Sequence, residues 1–340
     1  MAEKPRHEAA NLSVPACDSP KRPYRGGMGW NISDIPDLSG RTYLVTGATS
    51  GLGLESAKAL AAAGGEVILA GRSPQRLSDA QRQIPRQTES LLVDLADLES
   101  VHKAADNLPV ETLDVLINNA GIMAPPLGRT VDGFETQIGT NHLGHFALTG
   151  LLLPKMPVAG PDADSRVVNV SSAAHKMGKM DLDDLNYERR KYSSWPAYGQ
   201  SKLANLLFTA ELDRRARQAG WTLKSVAAHP GFSATNLQFA GPAIAHNPVG
   251  KQVTRLMNAV MGQSAESGAR PQLYAATMPD VRSGEYYGPK DFFETRGAPK
   301  RVGRTAAAKD QATAAGLWEL SEDLTGVHYD MASRPNSSTE

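Results

Sequence analysis

The sequence has a single cysteine, Cys17, no long apolar run and no excess of either charge. One cysteine forms no intramolecular disulfide and no thiolate metal site, which is typical of a reducing compartment and favours a cytoplasmic location. A membrane-spanning helix needs about 18 consecutive apolar residues, and the richest stretch here, Leu148–Pro154, is far shorter. The 36 Lys and Arg residues balance 36 Asp and Glu residues, so no long-range field favours nucleic acid or an anionic membrane.

The two ends of the chain differ in composition from its middle. Residues 1–39 are rich in Pro, charged residues and Ser, without the apolar centre of a secretory signal, which predicts a poorly ordered extension. Residues 332–340 are polar and are predicted to form a frayed tail. Residues 40–331 then form one domain, because no second composition regime appears between them.

From residue 40 onward, short apolar runs rich in Val, Leu and Ile alternate with longer segments of helical period. This alternation predicts an α/β fold, a single doubly wound parallel sheet of the Rossmann type. The predicted strands are Thr42–Thr46, Glu66–Ala70, Ser90–Val93, Leu113–Ile117, Arg166–Val170 and Leu223–Ala228. The predicted helices are Gly53–Ala63, Leu98–Asn107, Thr136–Pro154, Ala197–Ala219 and Glu266–Ala276.

A glycine-rich turn, Thr46-Gly-Ala-Thr-Ser-Gly-Leu-Gly53, follows the first predicted strand and opens a helix. Glycines let a backbone approach a pyrophosphate closely, and a helix N-terminus supplies free N–H groups with partial positive charge. The position of this turn between strand and helix therefore predicts a nucleotide cofactor. The expected contacts in the turn are Gly47, Ser50, Gly51, Leu52 and Gly53.

The second strand ends in Leu69-Ala-Gly-Arg-Ser73, where dinucleotide-binding folds that use NAD carry an acidic residue for the ribose 2′-hydroxyl. Arg72 stands there instead, with Ser73 and Arg76 nearby. A guanidinium offers paired donors to phosphate oxygens, so the sequence favours NADP(H) over NAD(H). Asp94 and Leu95 end the third strand and are predicted to contact the adenine edge.

Four further side chains are predicted to meet at the carboxyl edge of the sheet: Asn141, Ser172, Tyr198 and Lys202. Tyr198 and Lys202 are four residues apart, one turn on one helical face. A nearby cation favours the phenolate and is expected to lower the pKa of the phenol, so Tyr198 would exchange a proton with a substrate oxygen that Ser172 holds.

Tyr187-Glu-Arg-Arg-Lys191 has the same Tyr–Lys spacing. Tyr187 lies in a strongly charged run, whereas Tyr198 opens the apolar-periodic segment Leu203–Leu212, and a precisely placed proton donor needs a rigid element. Tyr198 is therefore the predicted acid or base. The histidines His142, His145, His175 and His229 lack metal-ligand spacing, so we expect no metal and favour structural roles. An alternative for His175 and His229 is a place in the substrate pocket.

Together these motifs resemble the short-chain dehydrogenase/reductase family over about residues 40–330. The segments Asn141–Phe146, Ser201–Asn205, His229–Gly231 and Gly284–Pro289 are similar to the retinol dehydrogenase-like branch of that family. The resemblance implies a catalytic tetrad at Asn141, Ser172, Tyr198 and Lys202, with Asn141 supporting a water-linked proton relay. Lys202, with Tyr198, would also bind the nicotinamide ribose. It further implies cofactor contacts at Asn119, Ala120, Gly121, Pro230, Gly231 and Thr235, and assembly as a homodimer or homotetramer.

The expected activity is interconversion of a carbonyl and an alcohol on a small, lipophilic substrate, with hydride transfer from or to NADP(H). Two alternatives stay open: reduction of an activated C=C bond, and a binding protein that senses NADP(H) without turnover. The apolar segment 236–265 follows the nicotinamide contacts, and its interpretation as a substrate lid competes with a subunit interface or a membrane-facing surface.

Overall fold

A computed structural model of the protein describes residues 29–160, 163–231 and 264–331. These residues contain one sheet of eight strands in the order β3-β2-β1-β4-β5-β6-β7-β8. All neighbours are parallel except β7 and β8, which form an antiparallel hairpin at one edge. The strands are β1 Thr42–Thr46, β2 Glu66–Gly71, β3 Glu89–Leu92, β4 Val115–Asn118, β5 Arg166–Val170, β6 Lys224–Ala228, β7 Tyr286–Asp291 and β8 Arg296–Arg301.

The helices cover both faces of the sheet, so the predicted doubly wound α/β architecture is confirmed. They are α1 Gly51–Ala62, α2 Pro74–Gln81, α3 Leu98–Asp106, α4, α5 Ser194–Gln218, α6 Ala265–Thr277 and α7 Gln311–Thr325. Helix α4 is continuous and consists of Thr136–Ile138, a π-helical segment Gly139–Leu143, and Gly144–Leu152. None of the helices in the described ranges is long and apolar enough to cross a membrane.

Successive side chains of β1 enter two different cores, because neighbouring residues of a strand point to opposite faces. Tyr43 and Val45 pack with α1 and α6 on one face. Leu44 packs on the other face with α4, α5 and α7, where Phe146 and Trp318 are buried. All five residues of β1 are buried, which explains its continuous apolar character and its central place.

The predicted N-terminal extension does not reach residue 39. Trp30 is 1% exposed and packs edge-on against Tyr274 of α6 at 5.5 Å between ring centroids. Ile35 and Leu38 are also buried in this core. The prediction failed because the apolar residues in this stretch are too widely spaced to show a period. The rest of the extension, residues 1–28, and the tail 332–340 lie outside the described residues.

Four elements of the fold are absent from the prediction. Helix α2 is short and buries only Leu77 and Ala80, so it shows little apolar period. Strands β7 and β8 contain Gly288, Pro289 and Pro299, which are unusual inside strands but tolerated near a sheet edge. Helix α7 begins at an Asp310 cap and ends at Gly326, two start and stop signals that were available in the sequence.

Candidate active site

The glycine-rich turn brings the N-terminus of α1 against the end of β4. Gly47 and Gly51 have φ of 66° and 56°, which glycine adopts without strain. A Cβ on Gly53 would lie 2.6 Å from Nδ2 of Asn119 and would overlap the carbonyl oxygen of Gly47. Ser50, the N-terminal cap residue of α1, forms no side-chain cap bond. The helix end is therefore glycine-lined and uncapped, as a bound phosphate requires, and Leu52 lies half-buried in its first turn.

The hydroxyl of Thr46 links β1 to β4. The order in which the strands are added to the sheet reverses between these two strands. The hydroxyl accepts hydrogen bonds from the backbone N–H groups of Asn119 and Ala120, both at 2.9 Å. It also lies 2.9 Å from Nε2 of His145. In doubly wound folds this switch point is where a ligand binds beyond the strand ends. Thr46 therefore sets the position of the Asn119–Gly121 backbone beside the turn.

The rim of the turn is basic on the side where β2 ends. The guanidinium of Arg76 donates a hydrogen bond to Oγ of Ser50 at 3.2 Å. The Arg72 side chain is 71% exposed, and its nearest carboxylate is that of Asp94 at 3.9 Å. No acidic residue stands at the end of β2 itself, and the Asp94 carboxylate lies at the end of the neighbouring strand. Leu95 is buried under the rim, next to Asp94.

The structure brings Tyr198, Ser172 and Lys202 together at the ends of β5 and α5. Tyr198 and Lys202 lie one turn apart on α5, with the Lys202 ammonium nitrogen 5.8 Å from the Tyr198 ring centroid. The Ser172 hydroxyl lies close enough to the Tyr198 hydroxyl to affect its pKa. The Lys202 ammonium donates a hydrogen bond to the carbonyl oxygen of Val170 at 3.0 Å. The side chains of Tyr198 and Lys202 are buried, so their placement is rigid.

The pKa of Tyr198 does not follow the expectation of a lowered value. Burial raises the pKa of Tyr198 to about 12, and the neighbouring Ser172 hydroxyl offsets part of this effect. Burial also lowers the pKa of Lys202 to about 8, because a buried ammonium loses its hydration. The expectation of a lowered Tyr198 pKa included the nearby cation but not desolvation, which is the largest effect on the pKa of both side chains.

Asn141 lies in the π-helical segment of α4 and is completely buried. Its Oδ1 accepts a hydrogen bond from the N–H of Ile122 at 2.8 Å, and its Nδ2 donates to Oγ of Ser201 at 2.9 Å. A Cβ on Gly121 would lie 3.0 Å from Oδ1 of Asn141 and 3.4 Å from Nζ of Lys202. Asn141 thus links the segment after β4 to α5, beside the Lys202 ammonium.

Pro230 and Gly231 follow β6 at the same edge of the sheet. Gly231 has φ of 71°, and its N–H donates to Nδ1 of His229 at 3.2 Å. A Cβ on Gly231 would overlap the carbonyl oxygen of Thr295 in the turn between β7 and β8. Thr235, the remaining expected contact, lies outside the described residues, as does nearly all of segment 236–265.

The competing Tyr187 has no part in this cluster. It lies outside any helix, with φ of 56°, and the Arg190 guanidinium covers its ring at 3.8 Å from the centroid. The segment around it is fixed to the domain: the Tyr192 hydroxyl bonds the carbonyl oxygen of Pro125 at 3.0 Å. Gln200 of α5 donates a hydrogen bond to the carbonyl oxygen of Leu185 at 2.9 Å and holds the same segment against the helix.

The expected structural roles of His142 and His145 are confirmed. Nε2 of His142 lies 2.9 Å from Oγ of Ser321, and Nδ1 of His145 lies 3.1 Å from the carbonyl oxygen of Asn141. Burial lowers the pKa of each ring to about 3, so both are neutral. Across the described ranges, no group of three or more His, Cys, Asp or Glu residues is placed to hold a metal.

Several residues of this site were missed by reasoning from the sequence. Gln272 of α6 donates hydrogen bonds to Oδ1 of Asn119 at 3.1 Å and to Oγ of Ser56 at 2.7 Å. Trp195 is 46% exposed and lies edge-on to Tyr198 at 6.1 Å between centroids. Met177, also exposed, lies against Gly199. The only available signal was for Trp195, which precedes Tyr198 by three residues and so shares its helical face.

This arrangement of a glycine-lined nucleotide turn with a Tyr–Lys–Ser cluster at the carboxyl edge is that of a nicotinamide-dinucleotide oxidoreductase. The family profile described as short chain dehydrogenase matches residues 41–240. The chain belongs to the short-chain dehydrogenase/reductase family and to its retinol dehydrogenase-like branch.

Relatives of known name and structure agree with this assignment. Human retinol dehydrogenase 13 is 38% identical over 303 residues, which is 85% of this chain and 86% of that protein. Human retinol dehydrogenase 12 is 37% identical over 302 residues, 86% of this chain and 89% of that protein. The crystal structure of an uncharacterized protein from Mycobacterium paratuberculosis is 47% identical with a TM-score of 0.75, covering 89% of this chain and 99% of that one.

Proposed function

We propose that this protein is an NADP(H)-dependent oxidoreductase that interconverts a carbonyl and an alcohol on a lipophilic substrate. The observation that carries the proposal is the buried Tyr198 with the Ser172 hydroxyl beside it and Lys202 one turn along the same helix. A fixed hydroxyl beside a buried phenol is suited to hold a substrate oxygen and to exchange a proton with it.

The cofactor would be held along the edge described above. The uncapped N-terminus of α1 and the glycines of the turn would take the pyrophosphate. Arg72 and Arg76 would take the 2′-phosphate, with Asp94 and Leu95 toward the adenine. Asn119–Gly121, Tyr198, Lys202, Pro230, Gly231 and Thr235 would hold the nicotinamide half. When bound, the dinucleotide supplies or removes the hydride.

The proton chemistry follows from the state of Tyr198. With a pKa of about 12, the phenol keeps its proton through the neutral range and acts as the acid in carbonyl reduction. The Ser172 hydroxyl holds the same substrate oxygen and orients it toward the phenol. The Lys202 ammonium, fixed by Val170, stabilises the phenolate that forms when the proton leaves.

A lipophilic substrate is favoured by the side chains around Tyr198. Trp195 and Met177 are large apolar residues that are 46% and 54% exposed beside the catalytic helix. Because these side chains lie beside Tyr198, they would contact the apolar part of a substrate whose oxygen reaches the phenol. The relatives named retinol dehydrogenase point in the same direction. We place the enzyme in the cytoplasm because its one cysteine suits a reducing compartment.

The test is NADPH consumption, with NADH in parallel, against aldehydes, ketones, quinones and enones of increasing chain length. Tyr198→Phe is expected to lose at least about 10²-fold in kcat, while Tyr187→Phe, which removes the other hydroxyl of the same Tyr–Lys spacing, keeps full activity. Turnover of enones alone would favour C=C reduction. Tight NADPH binding with no turnover of any class would favour the sensor, and equal activity of Tyr198→Phe and wild type would contradict the proposal.

A further inference from the structure

In the turn between β7 and β8, the Phe293 side chain faces solvent and the Glu294 side chain faces the domain. Phe292, Phe293 and Glu294 have φ of 47°, 56° and 65°, a run of left-handed residues without glycine. Such a run is strained and persists only when its surroundings hold it. Phe293 is fully exposed, whereas the Glu294 side chain is 23% exposed. The strained turn therefore presents Glu294 to the domain.

The Glu294 carboxylate lies between two segments of the active site. Its Oε2 is 3.4 Å from Nζ of Lys176 and 3.6 Å from Nε2 of His229. Lys176 belongs to a short 3₁₀ helix, Ala173–Met177, whose cap residue is Ser172. His229 immediately precedes Pro230 and Gly231. One carboxylate thus contacts both the segment that carries Ser172 and the segment that carries the Pro-Gly pair.

The orientation of the His229 ring follows from its other partner. Nδ1 accepts the Gly231 N–H, so in the neutral ring the proton sits on Nε2, the atom that faces Glu294. The ring is buried and lies in a slot where a Cβ on Gly288 would overlap it. Nε2 of His229 is buried without a hydrogen-bond partner and lies 3.6 Å from Oε2 of Glu294, so this carboxylate is the acidic group placed beside the N–H of the ring.

The same turn also contacts Gly231 directly, through the Thr295 carbonyl oxygen noted above. The Pro-Gly pair is held on one side by the His229 ring and on the other by the residue after Glu294. A shift of Glu294 would consequently move both supports of Gly231, and through Lys176 it would also shift the helix that Ser172 caps.

We propose that Glu294 is a positioning residue that sets the separation between Ser172, which holds the substrate oxygen, and Pro230–Gly231, which contacts the nicotinamide end of the cofactor. This inference rests on the function proposed above. Hydride transfer is sensitive to that separation, because misplacement of reacting groups by about 1 Å costs on the order of 10²-fold in rate.

The first experiment needs no turnover. Glu294→Gln keeps the shape and removes the charge, Glu294→Asp keeps the charge and shortens the reach, and Asp291→Asn removes a charge from the same hairpin as a matched control. We expect Glu294→Gln to speed amide exchange of Gly231 in the cofactor-free protein by about fivefold. It should weaken NADPH binding by about fivefold and leave binding of 2′,5′-ADP, which lacks the nicotinamide half, unchanged.

The second experiment measures catalysis on the best substrate of the panel. Glu294→Gln should lower kcat by about tenfold and raise the primary deuterium isotope effect with deuterated cofactor, because hydride transfer becomes more rate-limiting. Glu294→Asp should recover part of this loss at an unchanged melting temperature, which distinguishes positioning from stability.

Glu294→Gln behaving like Asp291→Asn in both experiments would overturn the inference. If the wild type binds NADH and not NADPH, the NADP(H) assignment fails, and the comparison is made with NADH against ADP. If it binds neither, the proposed function fails, and an unchanged Gly231 amide exchange in Glu294→Gln would separately rule out the role of Glu294.

Discussion

The Lys202 ammonium and the Val170 carbonyl oxygen are 3.0 Å apart, so this cation is bonded to the end of β5 and not to Tyr198. Its charge depends on pH in the working range, because burial lowers its pKa to about 8. The phenol of Tyr198, with a pKa of about 12, keeps its proton over the same range.

Carbonyl reduction should therefore fall as pH rises through about 8, where Lys202 loses its charge while Tyr198 is still protonated. The measurement is kcat/KM for reduction across the neutral and mildly alkaline range. Lys202→Met should lose about 10²-fold and show no break near that pH. A break that survives in Lys202→Met would assign it to another group.

Arg72→Asp should weaken NADPH binding about tenfold or more and NADH binding much less, since a guanidinium–phosphate contact is replaced by repulsion. Titration calorimetry with both dinucleotides measures this. Arg82→Asp is the matched control, because Arg82 is similarly exposed, at 64% against 71%, but pairs with Asp79 on α2. Equal losses for NADPH and NADH would refute the 2′-phosphate role.

Gly53→Ala should abolish tight cofactor binding and lower the free energy of unfolding by about 1–3 kcal/mol, because its Cβ overlaps the turn. Gly303→Ala adds the same methyl group where no heavy atom lies within 4 Å, and it should be neutral. Urea unfolding and NADPH titration of both variants provide the comparison, and a stable, cofactor-binding Gly53→Ala would contradict the close approach.

The protein should begin to lose stability at pH values well above the pKa values of its carboxylates. Burial lowers the pKa of His142, His145 and His229 to about 3 in the folded state, against 6.5 when unfolded. The unfolded chain thus binds more protons, so stability is complete above about 6.5 and is lost as pH falls toward about 3. Each ring contributes up to about 2 kcal/mol of loss between about pH 7 and about pH 5.

Urea unfolding at these two pH values measures that loss. His142→Gln should reduce the difference between them, since one titrating ring is gone. A stability difference that is the same in wild type and His142→Gln would argue against the buried neutral ring.

The central strands were predictable because burial on both faces produces apolar runs that a local pattern detects, as in Thr42–Thr46 and Arg166–Val170, whose bounds are as predicted. The pairing of Tyr198 with Lys202 was equally local, since it depends on one helical turn. Contacts that join distant segments were not predictable. Gln272 hydrogen-bonds Asn119, which is 153 residues away in the sequence, and the local sequence around neither residue predicts this contact. The hairpin of β7 and β8 was missed because its Gly and Pro residues resemble loop composition.

The π-helical segment at Asn141 also constrains how this protein can change in length. A π-helical turn contains one residue more than the α-helical turn it replaces, so deleting a residue there would restore regular bonding in α4. The helix on either side would keep its orientation, so Phe146 would stay in the core and His145 beside Thr46, but Asn141 would lose the wide turn in which it lies. A deletion in this turn would therefore affect Asn141 and leave the core in place, whereas a deletion in the regular part of α4 would rotate every later side chain by about 100°.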